Sequence, residues 1–422
     1  MSENLDGWSG AEFLLAADRL DTPDVIEAAD PSDMLRQVAS SAAQVRAALR
    51  SCQETDLSAF TPDTRPRAIV VAGMGSSSLV GEMLQALTGL SSPVQVVTSP
   101  TERLPGWVGA ADAVIAVSCS GTTPETLAIA VEAARRGCRL VGVGAQGSPL
   151  HQIAEQARAS FVPVAPLGLA RSMLWGLAIP PLVIAERLGI ARVGADVYEQ
   201  AASRLEEVSN QCRPASESFV NPGKSLALDL VGALPVVWGT SLLSGVAARR
   251  FAGQLNENAK YPAIPGLLSE AAHNQVAAFD GPFAPRSSRL SAPSAGEPSL
   301  PGAGIAGGTG NDAAELPDLA AWDLDYEETE ASEGSGFTAL RLILIADPDA
   351  GQRVSAQRAA VTELAEQRGV GMSELGMDGE HPLVRLAGVI HLADYASVYL
   401  AIASGIDPGQ AVAVDDLQAR IE

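Results

Sequence analysis

Short apolar runs alternate with amphipathic stretches along the chain from residue 66 onward. The runs are four to six residues long and rich in Val, Ile and Ala, which is typical of buried strands. The stretches between them have helical spacing, so the pattern predicts a parallel sheet covered by helices on both faces. The predicted strands are residues 68–73, 94–97, 113–118, 139–144 and 160–164, and the predicted helices are 79–89, 124–136 and 149–158.

A second cycle of the same kind begins at residue 235. Its apolar segments are residues 235–241, 274–279, 340–347 and 369–376, and its later helices are 351–368, 383–404 and 411–421. Residues 172–209, between the two cycles, have a helical pattern that we expect to break at Pro180-Pro181 and near Gly194. The predicted fold class is therefore α/β, with two tandem units of mainly parallel sheet.

The predicted domain organisation has three parts: an N-terminal helical segment at 1–65, a first α/β domain at 66–210 and a second at 211–422. Residues 284–336 interrupt the second domain with a run rich in Pro, Gly, Ser and Ala that becomes acidic. Such a composition buries too little apolar surface to offset the entropy of ordering, so we expect a disordered insertion. We assign no function to this insertion.

Composition limits the classes of partner. The chain is 47% hydrophobic, enough to form sizeable cores, and its net charge of −22 argues against nucleic acid or an anionic membrane as a partner. The N-terminus has no apolar signal core, and the best apolar run, residues 173–185, is too short to cross a bilayer. The four cysteines have no metal-ligand spacing. We expect a cytoplasmic protein without a metal or cofactor.

Two hydroxyl-rich turns follow predicted strands: GMGSSS at 73–78 and SCSGTTPET at 118–126. Backbone N–H groups at helix starts, together with hydroxyls, suit a phosphate, and neighbouring turns of a parallel sheet meet at one edge. A serine-rich helix cap would explain the first turn equally well if it stood alone. We predict a phosphomonoester site; its residues are Gly75, Ser76, Ser77, Ser118, Ser120 and Thr123.

These paired turns resemble those of the sugar isomerase (SIS) domain. Further segments resemble the bifunctional phosphoglucose/phosphomannose isomerases in particular: QLNENAKYPAIPG at 254–266, EAAHNQV at 270–276 and HLADYASVYLAIASGIDPGQAV at 391–412. The resemblance covers most of residues 35–422 outside the insertion. It implies two SIS domains, each a three-layer αβα sandwich.

The resemblance also implies an activity. It is the interconversion of fructose 6-phosphate with glucose 6-phosphate, and in some members mannose 6-phosphate, through a cis-enediol and without a metal. Such chemistry needs a base, a group that assists ring opening and a positive charge for the enediolate. By resemblance these are Glu257, His273 and Arg171. The family takes this histidine from the neighbouring subunit, so the resemblance implies a homodimer with His273 contributed across the interface.

Some positions depart from the family pattern. Ser76 and Ser78 stand where glycines are usual, and Gln418 stands where the C-terminal helix carries a lysine that reaches the site. These departures leave a second hypothesis open: a phosphosugar-binding or regulatory protein that is catalytically impaired.

Two of the predicted catalytic residues also have a structural alternative, since Glu257 could be a surface carboxylate at a helix end and His273 a structural hydrogen-bonding group. A transcriptional regulator is poorly supported, because residues 1–65 contain no basic recognition helix.

Overall fold

The structure, a computed structural model, describes residues 10–285 and 339–421, with side chains from residue 14 onward. The described chain begins with helices, as predicted for its N-terminal segment. They are α1 (Gly10–Asp21), α2 (Pro23–Ala29), α3 (Met34–Ala39) and α4 (Ser41–Glu54).

The first sheet has five parallel strands in the order β2-β1-β3-β4-β5. All five coincide with predicted runs, because each buries a continuous apolar stretch of the kind that parallel sheets require. The strands are β1 (Ala68–Ala72), β2 (Gln95–Ser99), β3 (Ala113–Ser118), β4 (Arg139–Gly144) and β5 (Ser160–Pro163). The intervening helices are α5 (Ser76–Thr88), α6 (Pro124–Arg135) and α7 (Pro149–Gln156).

Helices α8 (Leu174–Arg187), α9 (Ala195–Gln211) and α10 (Pro222–Leu230) connect the two sheets. The predicted break at Pro180-Pro181 is wrong, because α8 passes through both prolines as one helix. Nearly the whole of α8 is buried, and this burial offsets the hydrogen bonds that the two prolines cannot donate. The predicted break near Gly194 is confirmed, since α9 begins at the next residue.

The second sheet has four parallel strands in the order β7-β6-β8-β9. Its elements are β6 (Leu234–Gly239), α11 (Leu242–Gln254), β7 (Ile264–Leu267), α12 (Leu268–Ala271), β8 (Leu340–Ala346), α13 (Gln352–Gln367), β9 (Gly371–Gly376), α14 (Pro382–Ala403) and α15 (Val412–Ile421). The apolar segment 274–279 lies instead in a 3₁₀ helix, Gln275–Asp280. Strand β7 was not predicted, because four half-exposed residues that include Pro265 and Gly266 give no periodic signal.

One continuous core joins the two sheets. In β1, Ile69 and Val71 face this core, whereas Val70 and Ala72 face a separate cluster under α6 and α7. The second sheet has the same arrangement, with its outer face covered by α12 and α13. Helices therefore cover both faces of each sheet, and the predicted α/β fold class with mainly parallel sheets is confirmed.

Helix α14 runs through this core. It is long and apolar enough to cross a membrane by length and composition, yet 94% of its most apolar window is buried inside the protein. Burial of this kind is typical of the core helix of a globular domain.

Part of the sequence prediction falls outside the described residues. The expected disordered insertion at 284–336 lies there except for Ala284 and Pro285, and Ala284 is fully buried. The predicted domain boundary at 65 lies in the connection before β1, whereas the one at 210 falls within the last turn of α9; both boundaries stay predictions.

Candidate active site

The two hydroxyl-rich turns lie side by side. Strand β1 pairs with β2 on one side and β3 on the other, so the chain reverses its direction of travel across the sheet between β1 and β3. Open α/β sheets bind ligands at this switch point, beyond the carboxyl ends of the strands. The turn after β1 and the turn after β3 both open onto it.

The first turn has its one special backbone conformation at Gly75. This residue has φ of +54° and is the N-cap of α5, and a side chain there would be strained. Ser76 and Ser78, which replace the family's usual glycines, lie inside α5 and are not among the described residues with positive φ. The two serines therefore add no strain. Ser77 is buried, and the Ser78 hydroxyl donates to the Gly75 carbonyl at 2.8 Å.

The second turn is organised by Ser118. Its buried hydroxyl lies 2.8 Å from the Thr123 hydroxyl and accepts the Gly121 N–H at 3.0 Å. Ser120 and Thr122 are exposed, and their hydroxyls lie 2.8 Å apart. Ser118 thus shapes the turn, and Ser120 and Thr122 present hydroxyls to an incoming ligand.

A buried arginine that the sequence analysis missed, Arg250 of α11, connects the first turn to the second sheet. Its Nη1 donates to the Ser76 hydroxyl at 3.0 Å, and its Nη2 donates to the Arg171 carbonyl at 2.6 Å. Nε and Nη2 also form a bidentate pair with Asp394 of α14, at 2.8 and 3.0 Å. These bonds use four of the five guanidinium protons, so one Nη1 proton remains beside the phosphate turn.

Arg171 lies next to Arg250, on a short 3₁₀ helix before α8. Its Nε donates to the Asn258 side chain at 2.9 Å, and its Nη2 donates to the carbonyls of Pro408 and Gly409 at 2.7 Å. Burial lowers the pKa of Arg171, and the carboxylates of Glu257, Asp407 and Asp415 oppose that shift. The predicted arginine therefore lies within electrostatic range of the predicted base.

Glu257 lies on a π-helix, Leu255–Ala259, that continues α11. Short π-helical segments within helices occur frequently at functional sites. Glu257 is partly exposed, and its carboxylate makes no hydrogen bond or ion pair with the described residues. The next residue, Asn258, is fully buried and donates to the Ser397 hydroxyl at 2.9 Å while it holds Arg171. The π-helix is thus anchored at Asn258 and presents Glu257 to solvent.

Lys260 ends the π-helix with a left-handed backbone conformation, φ +57°. Its Nζ donates to the carbonyls of Asn258 and Asp407, at 3.0 and 2.8 Å. Burial lowers the pKa of Lys260, and the positive charge of Arg171 lowers it further. A second cation therefore lies within electrostatic range of Arg171, at the end of the π-helix that carries Glu257.

His273 lies away from Glu257 within one chain. It is exposed in the turn after α12, which follows the carboxyl end of β7. Helix α11 begins at the carboxyl edge of the same sheet and runs about 20 Å to its amino edge. Glu257 follows the C-terminal end of this helix. The structure therefore brings together the phosphate turns, Arg171 and Glu257, but it places His273 at the opposite edge of the second sheet.

The C-terminal helix α15 also lies near Arg171. Asp415 on this helix interacts electrostatically with Arg171, and Gln418 lies one turn further along the same face. Gln418 is exposed, as is every residue of α15 whose burial the structure describes. Among the exposed side chains of α15 are Val412, Val414, Leu417 and Ile421.

Cys119 lies in the second turn but is a packed side chain. It is 8% exposed and belongs to the main core, and burial raises the pKa of its thiol. A thiol with a raised pKa is a poor nucleophile, so Cys119 has a packing role in this turn.

The site thus combines a hydroxyl-rich crevice, the buried Arg250, the half-buried Arg171 and a Glu257 carboxylate that is unpaired among the described residues. This arrangement resembles the SIS-type phosphosugar sites that the sequence motifs predict. Residues 219–421 match the sequence model of the family described as "Bacterial phospho-glucose isomerase C-terminal SIS domain". That segment belongs to this domain family.

Whole-chain similarity extends the assignment. The chain is 25% identical over 359 residues to the bifunctional phosphoglucose/phosphomannose isomerase of Aquifex aeolicus. The matched region covers 84% of this chain and 91% of that relative. It is 30% identical over 215 residues to the enzyme of the same name from Caldicellulosiruptor bescii, with 51% of this chain and 63% of that relative covered. The chain is a relative of the bifunctional phosphoglucose/phosphomannose isomerases.

A solved structure agrees in fold. The glucose-6-phosphate isomerase of Chlamydia trachomatis superposes with a TM-score of 0.63 on 97% of this chain and 85% of its own, at 13% identity. At that identity the likeness establishes the fold alone.

Proposed function

We propose that this protein is an aldose–ketose isomerase that interconverts fructose 6-phosphate with glucose 6-phosphate. One observation carries the proposal: the Glu257 carboxylate, unpaired among the described residues, lies within electrostatic range of Arg171, which Arg250 connects to the first phosphate turn. The names of its relatives add mannose 6-phosphate as a second aldose substrate. Because sugar phosphates carry charges that keep them within the cell, we propose a cytoplasmic location.

The phosphate binds in the crevice between the turns that follow β1 and β3. The N–H groups at the start of α5 and the hydroxyls of Ser76, Ser120 and Thr122 face it. Arg250 supplies a positive charge through the Nη1 proton that remains free beside Ser76. Charge-assisted bonds to a buried guanidinium are worth more than neutral ones, so Arg250 carries a large share of the binding free energy.

Glu257 moves the proton. From the aldose it takes the proton on C2 and returns it to C1, while the hydroxyl proton of O2 moves to O1; for the ketose both transfers are reversed, so no proton is gained or lost overall. Negative charge collects on the C1 and C2 oxygens in the enediolate. Arg171 stabilises that charge, since it interacts electrostatically with Glu257, and Lys260 adds positive charge near Arg171.

His273 completes the site from a second subunit. It is exposed and lies at the opposite edge of the sheet from Glu257, so one chain alone does not bring the two together. Exposed apolar side chains on α15, close to Arg171, give such a dimer further surface to bury. We propose a homodimer in which each site combines Glu257 of one protomer with His273 of its partner.

The second candidate function is phosphosugar binding without turnover. The exposed Gln418, where the family has a lysine, favours it. Lys260 weakens this alternative, because it supplies a cation near Arg171 from an element other than the C-terminal helix.

The test is a coupled assay. Purified protein receives fructose 6-phosphate, and glucose 6-phosphate is followed through its dehydrogenase; mannose 6-phosphate is then tried as the starting aldose. We expect Glu257→Gln to lower kcat by about 10³-fold, because the amide cannot accept the proton. The control is Glu366→Gln, an exposed carboxylate on α13, which should leave the rate unchanged.

Binding separates the two candidates. Saturating fructose 6-phosphate should raise the thermal midpoint of Glu257→Gln as much as that of the wild type, since Glu257 does not hold the phosphate. Turnover that survives in Glu257→Gln would contradict the isomerase proposal. Ligand stabilisation of a wild type without turnover would establish the binding protein.

A further inference from the structure

The second sheet contains a crevice of the same design as the phosphate crevice. In chain order its strands are arranged 2-1-3-4, the same order as the first four strands of the first sheet, so its switch point lies between β6 and β8. Ligands bind at such points in open α/β sheets. The resemblance to bacterial isomerases assigns nothing to this second crevice.

The strand-to-helix turns at the two crevices are built alike. After β1, a Cβ on Gly73 would lie 2.8 Å from the Cβ of Ser77, in the first turn of α5. At the end of β6, a Cβ on Gly239 would lie 2.3 Å from the backbone of Ser244, in the first turn of α11. In both turns a glycine allows the helix start to approach the strand end directly, and hydroxyl residues follow it.

The second crevice is occupied by a side chain of this protein, Asp347, which follows β8. Its Oδ2 accepts the Ser241 hydroxyl at 2.5 Å, and its backbone N–H donates to the Thr240 hydroxyl at 2.8 Å. Ser241 is also the N-cap of α11. A carboxylate therefore lies where the hydroxyls and the helix start would receive an anionic ligand.

A buried cation completes this second crevice. Arg385 of α14 is 4% exposed, and its Nε lies 3.6 Å from Asp347 Oδ1. That distance is too long for a hydrogen bond, and the Nε proton has no acceptor among the described residues. The guanidinium also pairs with Asp349. A deeply buried guanidinium with an unused proton, facing a hydroxyl-capped helix start, is what a bound oxyanion would require.

We propose that the crevice between β6 and β8 is a latent oxyanion site that Asp347 closes, so that each chain binds one sugar phosphate. Asp347 occupies the Ser241 hydroxyl at the helix start, and its charge there repels a further anion, whereas the Asp349 side chain is 70% exposed and is screened by solvent. The first crevice has no carboxylate in its turns; Asp394, which pairs with Arg250, lies behind them on α14. The difference between the two crevices is the position of one carboxylate.

The test counts bound phosphate. Radiolabelled inorganic phosphate is measured by equilibrium dialysis against the wild type, Asp347→Ser and the control Asp349→Ser. The control makes the same charge change but leaves the Asp347 carboxylate on Ser241. We expect Asp347→Ser to bind one phosphate more per chain than the wild type, and Asp349→Ser to bind the same number as the wild type.

The measured quantity is the number of phosphates bound by Asp347→Ser minus the number bound by the wild type. This difference does not depend on whether the first crevice binds phosphate, so it is independent of the proposed function. A wild type that binds no phosphate, with one bound by Asp347→Ser, would contradict the phosphate role of the first crevice and support the latent site. A wild type that binds two phosphates, or a folded Asp347→Ser that gains none, would overturn the latent site. If Asp347→Ser does not fold, the isosteric Asp347→Asn removes the charge with the packing volume kept, and the same criterion applies.

Discussion

Arg250 shows how one side chain can serve both sheets. Its guanidinium contacts Ser76 of the first unit, Asp394 of the second and the backbone at Arg171. Sequence could not reveal this role, because 26 arginines compete and nothing in the local pattern distinguishes Arg250 from Arg249. Glu257 could be proposed from the sequence because its motif is local, whereas the contacts of Arg250 join residues that are more than 70 positions apart.

We predict that Arg250→Lys weakens both stability and ligand binding. Lysine keeps the charge but cannot make the bidentate pair, so the buried Asp394 carboxylate loses part of its compensation, at a cost of about 2–4 kcal/mol. Thermal melts with and without fructose 6-phosphate measure both effects. The matched control is Arg249→Lys, whose side chain is 56% exposed and pairs with Glu82; it should change stability by less than about 0.5 kcal/mol. Equal melts for the two variants would contradict the role of Arg250.

Buried His391 predicts a dependence of stability on pH. Burial lowers its pKa from 6.5 to about 3, and only its Nε2 has a partner, the Ser209 hydroxyl at 2.7 Å. Between these two pH values the unfolded chain binds a proton that the folded chain does not. The stabilisation that comes from keeping His391 uncharged in the fold is therefore complete above pH 6.5 and is lost as pH falls toward 3. Over this range the free energy of unfolding changes by at most about 1.4 kcal/mol per pH unit.

The measurement is urea unfolding between pH 7 and pH 4, in the wild type and in His391→Gln, which can keep a hydrogen bond to Ser209. The variant should lose less stability on acidification than the wild type does. Identical pH slopes would show that His391 does not carry the effect.

At the scale of elements, prediction succeeded where the signal is local and continuous. Strands β1, β3 and β8 are fully or almost fully buried apolar runs, and each was predicted within two residues of its bounds. The π-helix could not be predicted, because distant contacts hold it: Asn258 is tied to Ser397 and to Arg171. Helix α8 keeps its path through two prolines for a similar reason, since tertiary burial outweighs local propensity.

Helix α3 positions the segment that carries Arg171. Gln37 accepts the Leu169 N–H at 2.7 Å and the Ser172 hydroxyl at 3.1 Å, and its amide donates to the Ser32 carbonyl at 2.6 Å. These bonds fix the 3₁₀ turn on both sides of Arg171. The N-terminal helices are therefore part of the support of the site.

We predict that Gln37→Met, of similar volume, leaves the fold intact and lowers kcat by about tenfold, because Arg171 is then held less precisely over the enediolate. The loss of three bonds to partly buried groups should cost about 2–4 kcal/mol of stability. The control is Arg36→Met, an exposed neighbour on the same helix. A rate for Gln37→Met equal to that of the control would contradict a positioning role.

At the scale of the whole molecule, the two sheets share one core and the candidate site lies where they meet. The sequence predicted two tandem units, but it gave no sign that one arginine and one core helix, α14, would join them. The separation of Glu257 from His273 is likewise a property of topology, and becomes visible only when the direction of α11 is known.

Mixing two inactive variants tests the proposed dimer. Glu257→Gln and His273→Gln are each expected to be nearly inactive, and subunit exchange between them creates mixed dimers. If each site combines the two residues across the interface, one site of every mixed dimer is intact, and an equal mixture recovers about a quarter of the wild-type rate. No recovery after confirmed exchange would show that both residues act within one chain.

The most direct measurement of the central claim is solvent exchange at the sugar carbon. Glucose 6-phosphate is incubated with the enzyme in deuterium oxide, and the C2 proton is followed by nuclear magnetic resonance. Proton transfer through Glu257 predicts that deuterium enters C2 with the wild type, and that Glu257→Gln abolishes this exchange while fructose 6-phosphate still stabilises the protein. Exchange at an undiminished rate in Glu257→Gln would contradict the assignment of Glu257 as the base.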